Sequence, residues 1–129
     1  MVLIDSSVWI ANMRQPGLLE RFVAFERTVT CPPVVHEILK GSSTIRSYLR
    51  AKTMLLSIPI VESPTSLDAF LHAAEIYRIA RAAGFTIRSS IDCLIAACAI
   101  RHDLPLLHAD RDFDIISRFT LLQAKNVLA

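Results

Sequence analysis

At 129 residues the chain is the length of one domain, and 53% hydrophobic residues are enough for a substantial core. A formal net charge of +2 is too small to imply nucleic-acid binding by itself, although eleven of the fourteen basic residues are arginine, the side chain better suited to bidentate phosphate contacts. No apolar run approaches the ~18 residues needed to span a bilayer, and no basic segment precedes an apolar one at the N-terminus, so neither a transmembrane helix nor a secretory signal is expected and the cytoplasm is the default location.

Residues 2–4 read as a short buried strand that runs into Asp5, with Ser6 and Ser7 offering caps for a helix to about Asn12. A second helix is expected over 18–27 on the spacing of Leu18, Leu19, Phe22, Val23 and Phe25, then a strand over 28–31. Pro33 opens a third helix that carries Glu37 and ends near Lys40 and Gly41. Residues 42–54 predict a helix with a basic side, 58–61 a strand, and 66–83 a long helix stopped by Gly84. The helix over 89–102 is apolar nearly all round from Cys93 to Ile100, which predicts burial on more than one side. A strand over 104–107 leads to Asp110, Asp112 and Asp114, a short helix over 113–118, and a last strand near 120–123.

Short apolar strands alternating with helices define an α/β fold with a parallel sheet covered by helices on both faces, whose site lies beyond the carboxyl ends of the strands. Asp5 and Asp110 fall at such ends, Glu37 follows the second strand by about a helical turn, and Asp92 opens the buried helix. Each acid alone has an ordinary use: Asp5 and Asp110 as helix caps, Ser89 with Asp92 as a capping box, Glu37 as a complement to a helix dipole. Together they form a different object. Like charges about 4 Å apart repel by roughly 4 kcal/mol per pair at an effective dielectric near 20, so convergence demands raised pKa values or a cation. An all-carboxylate site suits a hard ion such as Mg²⁺ or Mn²⁺ and points to phosphate chemistry.

Other chemistries find less support. Cys31, Cys93 and Cys98 form no C-x-x-C pair and read as reduced core residues, and Cys98 with His102 supplies only half of a zinc site. Neither a G-x-x-x-x-G-K-[ST] loop nor a G-x-G-x-x-G turn is present, and no G-x-S-x-G elbow supports a Ser/His/Asp triad. Trp9, His36 and His108 read as packing or hydrogen-bonding residues.

The stretches LIDSSVWI, VVHEILKG, TIRSSIDCLIAACAI and LPLLHADRDFDII, in that order along almost the whole chain, resemble the PIN-domain ribonucleases, specifically the VapC-type toxins of toxin–antitoxin pairs. The resemblance implies a single PIN domain over 1–129 with about five parallel strands, a homodimer, and inhibition by a small VapB-type antitoxin; that two copies pair through the helices at 42–83 is an expectation beside it, which the sequence does not itself decide. It places the family's acids on Asp5, Glu37, Asp92 and Asp110, with Asp112 as an additional acid. Asp5, Asp92 and Asp110 would then hold Mg²⁺, with Mn²⁺ as a substitute. Ser7 and Arg88 match positions that touch RNA or the metal's water shell; Arg46 and Arg50 join Arg88 as candidate backbone contacts. Asp114 has no required role and is read as capping or solvating the final helix. The position before Asp110, often Asn or Thr in the family, is Ala109. The implied reaction is hydrolysis of RNA, structured RNA such as tRNA included, to a 3′-hydroxyl and a 5′-phosphate. Two rivals stand beside it: a catalytically silent RNA- or partner-binding member of the same fold, and a receiver-type phosphoacceptor domain, which would want a late-strand lysine that LLHAD does not offer.

Overall fold

Four short strands make one parallel sheet in the computed structural model of the chain, which describes residues 1–128. β1 (Val2–Ile4), β2 (Thr28–Val29), β3 (Leu106–His108) and β4 (Ala124–Asn126) lie in the order β2-β1-β3-β4. Leu3 of β1 stands opposite Val29 on one side and Leu106 on the other. Leu3 and Ile4 are buried, as is every residue of β2 and β3. Because successive strand residues face opposite sides, both faces of the sheet are covered, as the apolar runs in the sequence require.

The strand expected over 58–61 is reduced to one bridge, Thr30 opposite Ile60. Thr30 N–H donates to the Pro59 carbonyl at 2.9 Å and Val61 N–H to the Thr30 carbonyl at 2.8 Å. Pro59 has no N–H with which to continue the ladder, so the fifth strand stops at that single pair. The last two strands also sit later than the sequence suggests. Pro105 precedes β3 and cannot donate, while Thr120 closes the preceding helix by donating to the Ile116 carbonyl at 2.9 Å and accepting the Leu122 N–H at 3.2 Å, which delays β4 to residue 124.

Among the described residues six α-helices surround the sheet: α1 (Ser6–Arg14), α2 (Pro32–Lys40), α3 (Ile45–Leu56), α4 (Leu67–Ala82), α5 (Ser90–Arg101) and α6 (Arg111–Phe119). The helix expected over 18–27 is absent; two single 3₁₀ turns, 19–21 and 25–27, take its place around an extended Ala24. Only Leu18, Leu19 and Val23 of its apolar stripe are buried, whereas Phe22 and Phe25 remain exposed. A helix this short with two of its five stripe residues exposed lacks the packing that would sustain it. Asn12 Oδ1 accepts the Leu19 N–H at 3.0 Å and fixes the first turn instead.

α5 is the axis of the core. Every side chain from Asp92 to Ala99 is buried, and its alanines and cysteines let neighbouring elements approach closely. The three cysteines are free and buried. His102 Nε2 lies 3.3 Å from Glu62 Oε1, and no metal-ligating group forms around Cys98 among the described residues. No described helix is long and apolar enough to cross a membrane. Substituting Ala97→Leu, at zero exposure on α5, is expected to cost about 1–3 kcal/mol through overpacking, measured as a lower urea midpoint with an unchanged slope.

Candidate metal centre

The strand order creates the site. β1 is followed by β2 on one side, and the chain later returns to place β3 on the other, so the sheet's topological switch point lies between β1 and β3. Asp5 follows β1 directly, and Asp110 follows β3 by two residues.

Of the three residues that the sequence offers as the cap of α1, Asp5, Ser6 and Ser7, the structure uses Asp5. Its Oδ2 accepts the Ser7 N–H at 3.0 Å and the Ser7 hydroxyl as well. Ser7 Oγ also accepts the Ala109 N–H at 2.9 Å, which ties the start of α1 to the loop after β3. Ser6 Oγ donates to Glu37 Oε1 at 3.0 Å and draws the second acid, in the middle of α2, toward the first. In the sequence this use of Ser6 leaves no trace but the pair of serines after Asp5.

Asp92 is the third residue of α5, and its backbone N–H donates to the Ser89 carbonyl at 3.1 Å. The expected capping box does not form, because the Ser89 side chain makes no capping hydrogen bond and the Asp92 carboxylate belongs to the acidic cluster. Asp110 caps α6, its Oδ1 accepting the Asp112 N–H at 2.9 Å. Asp112 is 2% exposed, and its Oδ2 accepts the Arg88 backbone N–H at 3.1 Å and the Arg88 Nε at 3.3 Å. Arg88 Nη2 donates to Asp110 Oδ1 at 3.1 Å, so one guanidinium bridges two acids at the rim. Of the two uses expected of Asp114 the structure leaves the second: Asp110 holds the cap, and the half-exposed Asp114 carboxylate meets solvent while its Oδ2 accepts Asn126 Nδ2 at 3.1 Å. Arg46 and Arg50 stand apart on α3, lining an apolar cavity of about 670 Å³ with Trp9, Met13, Ile38 and Met54.

All five acids singled out in the sequence meet here. Carboxylate oxygens of Asp5, Glu37 and Asp92 lie within 4.8 Å of one another, and so do those of Asp92, Asp110 and Asp112. Asp92 is shared by both groups. Asp5 and Asp110 are each its neighbours rather than members of one triplet.

Burial pushes the Asp5 carboxyl up to about 6, with the charge of Glu37 adding to the rise and the Ser7 hydrogen bonds opposing it. Asp92 is pushed further, to about 8, first by burial and then by the charges of Asp5, Asp110, Glu37 and Asp112. Asp5 Oδ1 is buried without a hydrogen-bond partner among the described residues. An orphaned carboxylate oxygen facing further acids is the condition a cation relieves. The two triplets offer carboxylate oxygens only, with no imidazole or thiol, which fits Mg²⁺ or Mn²⁺ better than zinc. The N-termini of α1, α5 and α6 also bring their partial positive charge to Asp5, Asp92 and Asp110.

A cluster of carboxylates at the switch point of a parallel sheet is the architecture of an acid-based α/β site. Comparison with known proteins gives that architecture its family. The PIN domain profile matches residues 2–118. The VapC ribonuclease Mb1587 of Mycobacterium bovis and the ribonuclease VapC11 of Mycobacterium tuberculosis are each 40% identical to the chain, covering 96% of it and 97% of the relative. Among solved structures, VapBC-1 from nontypeable Haemophilus influenzae superposes with a TM-score of 0.76 at 17% identity over 100% of both chains. DNA-bound VapBC from Salmonella typhimurium gives a TM-score of 0.76 at 18% identity over 98% of this chain and 99% of that one. The chain belongs to the PIN domain family, among its VapC-type members.

The raised carboxyl pKa values fix a sign. Asp5 and Asp92 bind protons more tightly folded than unfolded, so their contribution to stability is fully present below the ordinary value of 3.8 and is lost as the pH rises to about 6 and about 8. In chelator, the thermal midpoint is expected to fall between about pH 5 and about pH 8, while millimolar Mg²⁺ raises it by an amount that grows across the same interval. A Mg²⁺ effect that is absent, or equal at both ends, would contradict the assignment.

Proposed function

We propose that the chain is a Mg²⁺-dependent endoribonuclease, the toxin of a toxin–antitoxin pair, hydrolysing phosphodiester bonds of structured RNA such as tRNA. The observation that carries this reading is the pair of carboxylate triplets sharing Asp92, with Asp5 Oδ1 left without a hydrogen-bond partner among the described residues. The printed names of the VapC relatives, as ribonucleases, support the RNA substrate. The whole of 1–129 is taken as one PIN domain.

In this reading Asp5, Asp92 and Asp110 hold the ion, with Mn²⁺ able to substitute, and Glu37 and Asp112 complete the site. Bound there, the cation supplies charge neutralisation at the scissile phosphate and acidifies water. Glu37 Oε1 is occupied by Ser6, so Oε2 is the oxygen available to orient the attacking water and receive its proton. Ser7 braces Asp5 against the loop after β3. Arg88, its side chain 63% exposed and already joined to Asp110 and Asp112, meets the RNA backbone at the rim, with Arg46 and Arg50 as more distant contacts. Water, and not the RNA's 2′-hydroxyl, attacks the phosphorus and the bond from phosphorus to the 3′-oxygen breaks, so that the products carry a 3′-hydroxyl and a 5′-phosphate.

Partners belong to the same reading. The solved VapBC complexes support a VapB-type antitoxin, and exposed apolar side chains such as Met13, Ile45, Leu49, Leu67, Phe70 and Leu71 provide surface for it and for a second copy in a homodimer. The protein would act in the cytoplasm, where its RNA is.

Purified protein freed of any partner is expected to cut total cellular RNA at a few sites with Mg²⁺ and not with chelator. Asp5→Asn and Asp92→Asn should each reduce the rate by about 10²-fold or more. End mapping distinguishes the mechanisms: 2′,3′-cyclic phosphate ends would reject hydrolysis by water. Metal-independent RNA binding without cleavage, by protein shown to be folded, would favour the silent binding module.

A further inference from the structure

A wholly buried imidazole stands behind the acidic cluster, and the reaction described above gives it no task. His108 ends β3 at zero exposure. Its backbone is fixed by the register opposite Asn126 of β4 and by the Val127 N–H, which donates to its carbonyl at 2.8 Å. Its ring packs on Phe113, with centroids 5.2 Å apart. Leucine or methionine would fill such a place without polar atoms. Imidazole brings two, and burial penalises each of them unless it has a partner.

The two ring nitrogens have different partners. Nδ1 accepts the backbone N–H of Asp110 at 3.2 Å; it therefore carries no proton, and the proton of the neutral ring resides on Nε2. Nε2 stands 3.4 Å from Asp114 Oδ1, long for a direct hydrogen bond, and has no hydrogen-bond partner among the described residues. The negative charge of Asp114 favours a proton on the nitrogen that faces it, which leaves the Nδ1 lone pair for Asp110. Asp114 is itself held by Asn126 Nδ2 at 3.1 Å. A row of side chains thus leads from β4 through α6 and β3 to the amide of Asp110. The carboxylate of that same residue caps α6 and faces Asp92 and Arg88.

We propose that His108 is a positioning residue whose imidazole, oriented by Asp114 and Asn126, fixes the Asp110 amide and thereby the place of the Asp110 carboxylate in the metal site. The proposal rests on the reading of Asp110 as a metal ligand. Groups one step removed from a ligand set its orientation, and losing one typically weakens metal binding by about 10–100-fold.

The test is Mn²⁺ affinity, measured by titration calorimetry or by the electron paramagnetic resonance of free Mn²⁺, alongside circular dichroism and thermal midpoints. His108→Leu keeps the volume and removes the acceptor, and is expected to weaken Mn²⁺ binding roughly 10–100-fold. His108→Asn places an amide oxygen near the former Nδ1 and is expected to recover most of that loss, which a purely packing role would not produce. Asp114→Ala, at a half-exposed position, is expected to weaken binding in the same direction with little change in thermal midpoint. Wild-type affinity in both His108→Leu and Asp114→Ala, or no advantage of Asn over Leu, overturns the proposal. If His108→Leu does not fold, wild-type affinity in Asp114→Ala overturns it alone. Failure of the wild-type protein to bind Mn²⁺ would remove the metal-site reading itself, and the proposal with it.

Discussion

The carboxylate of Asp92 governs the rest of this structure, because it is buried where two groups of acids meet. At separations of up to 4.8 Å, each pair of ionised neighbours repels by roughly 3–4 kcal/mol at an effective dielectric near 20. A few such pairs would consume the whole stability of an ordinary domain, about 5–15 kcal/mol. The protein answers with several separate devices. Protons stay on Asp92 and Asp5 to higher pH than usual, helix N-termini point at the cluster, and Arg88 offsets part of the charge of the outer pair, Asp110 and Asp112. None of these supplies a partner to Asp5 Oδ1, and a divalent ion is the remaining device that fits.

The fold makes such a site possible by anchoring each acid to a different rigid element. The adjacent strands β1 and β3 lead to Asp5 and Asp110 on either side of Asp92 at the switch point, α2 contributes Glu37, and α5 carries Asp92 on a helix so apolar that its position is set by the core itself. Short side-chain links then remove the remaining freedom. Ser6 joins Asp5's helix to Glu37, and Ser7 joins Asp5 to the loop before Asp110. Arg88, just ahead of α5, joins that helix to α6 through Asp110 and Asp112. The acids are held by the scaffold and not by one another, which keeps the crevice formed in spite of their repulsion.

Much of this was readable from residue order. Apolar runs ending in an acid placed Asp5 and Asp110 at strand ends, and the continuous apolar stretch after Asp92 announced a helix buried on several sides. What escaped was the geometry that depends on partners. The spacing of Leu18, Leu19 and Val23 is helical, but nothing in that spacing tells that Phe22 and Phe25 find no core to enter. Ile58, Ile60 and Val61 have strand character, yet Pro59 limits them to one bridge once Thr30 lies alongside. The Ser89 and Asp92 pair has the spacing of a capping box, and the cluster takes its carboxylate instead. His108 is the same lesson in reverse, a residue that reads as packing until its two nitrogens are followed to Asp110 and Asp114.

The most direct measurement is a crystal structure of the chain grown or soaked with Mn²⁺, with anomalous data collected at the manganese edge. The account predicts a peak touching Asp92 and bounded by Asp5 and Asp110, with oxygen ligands at the short distances, about 2.0–2.2 Å, that an octahedral divalent ion demands. An acidic crevice without manganese, in crystals that bind the ion elsewhere or not at all, would contradict it.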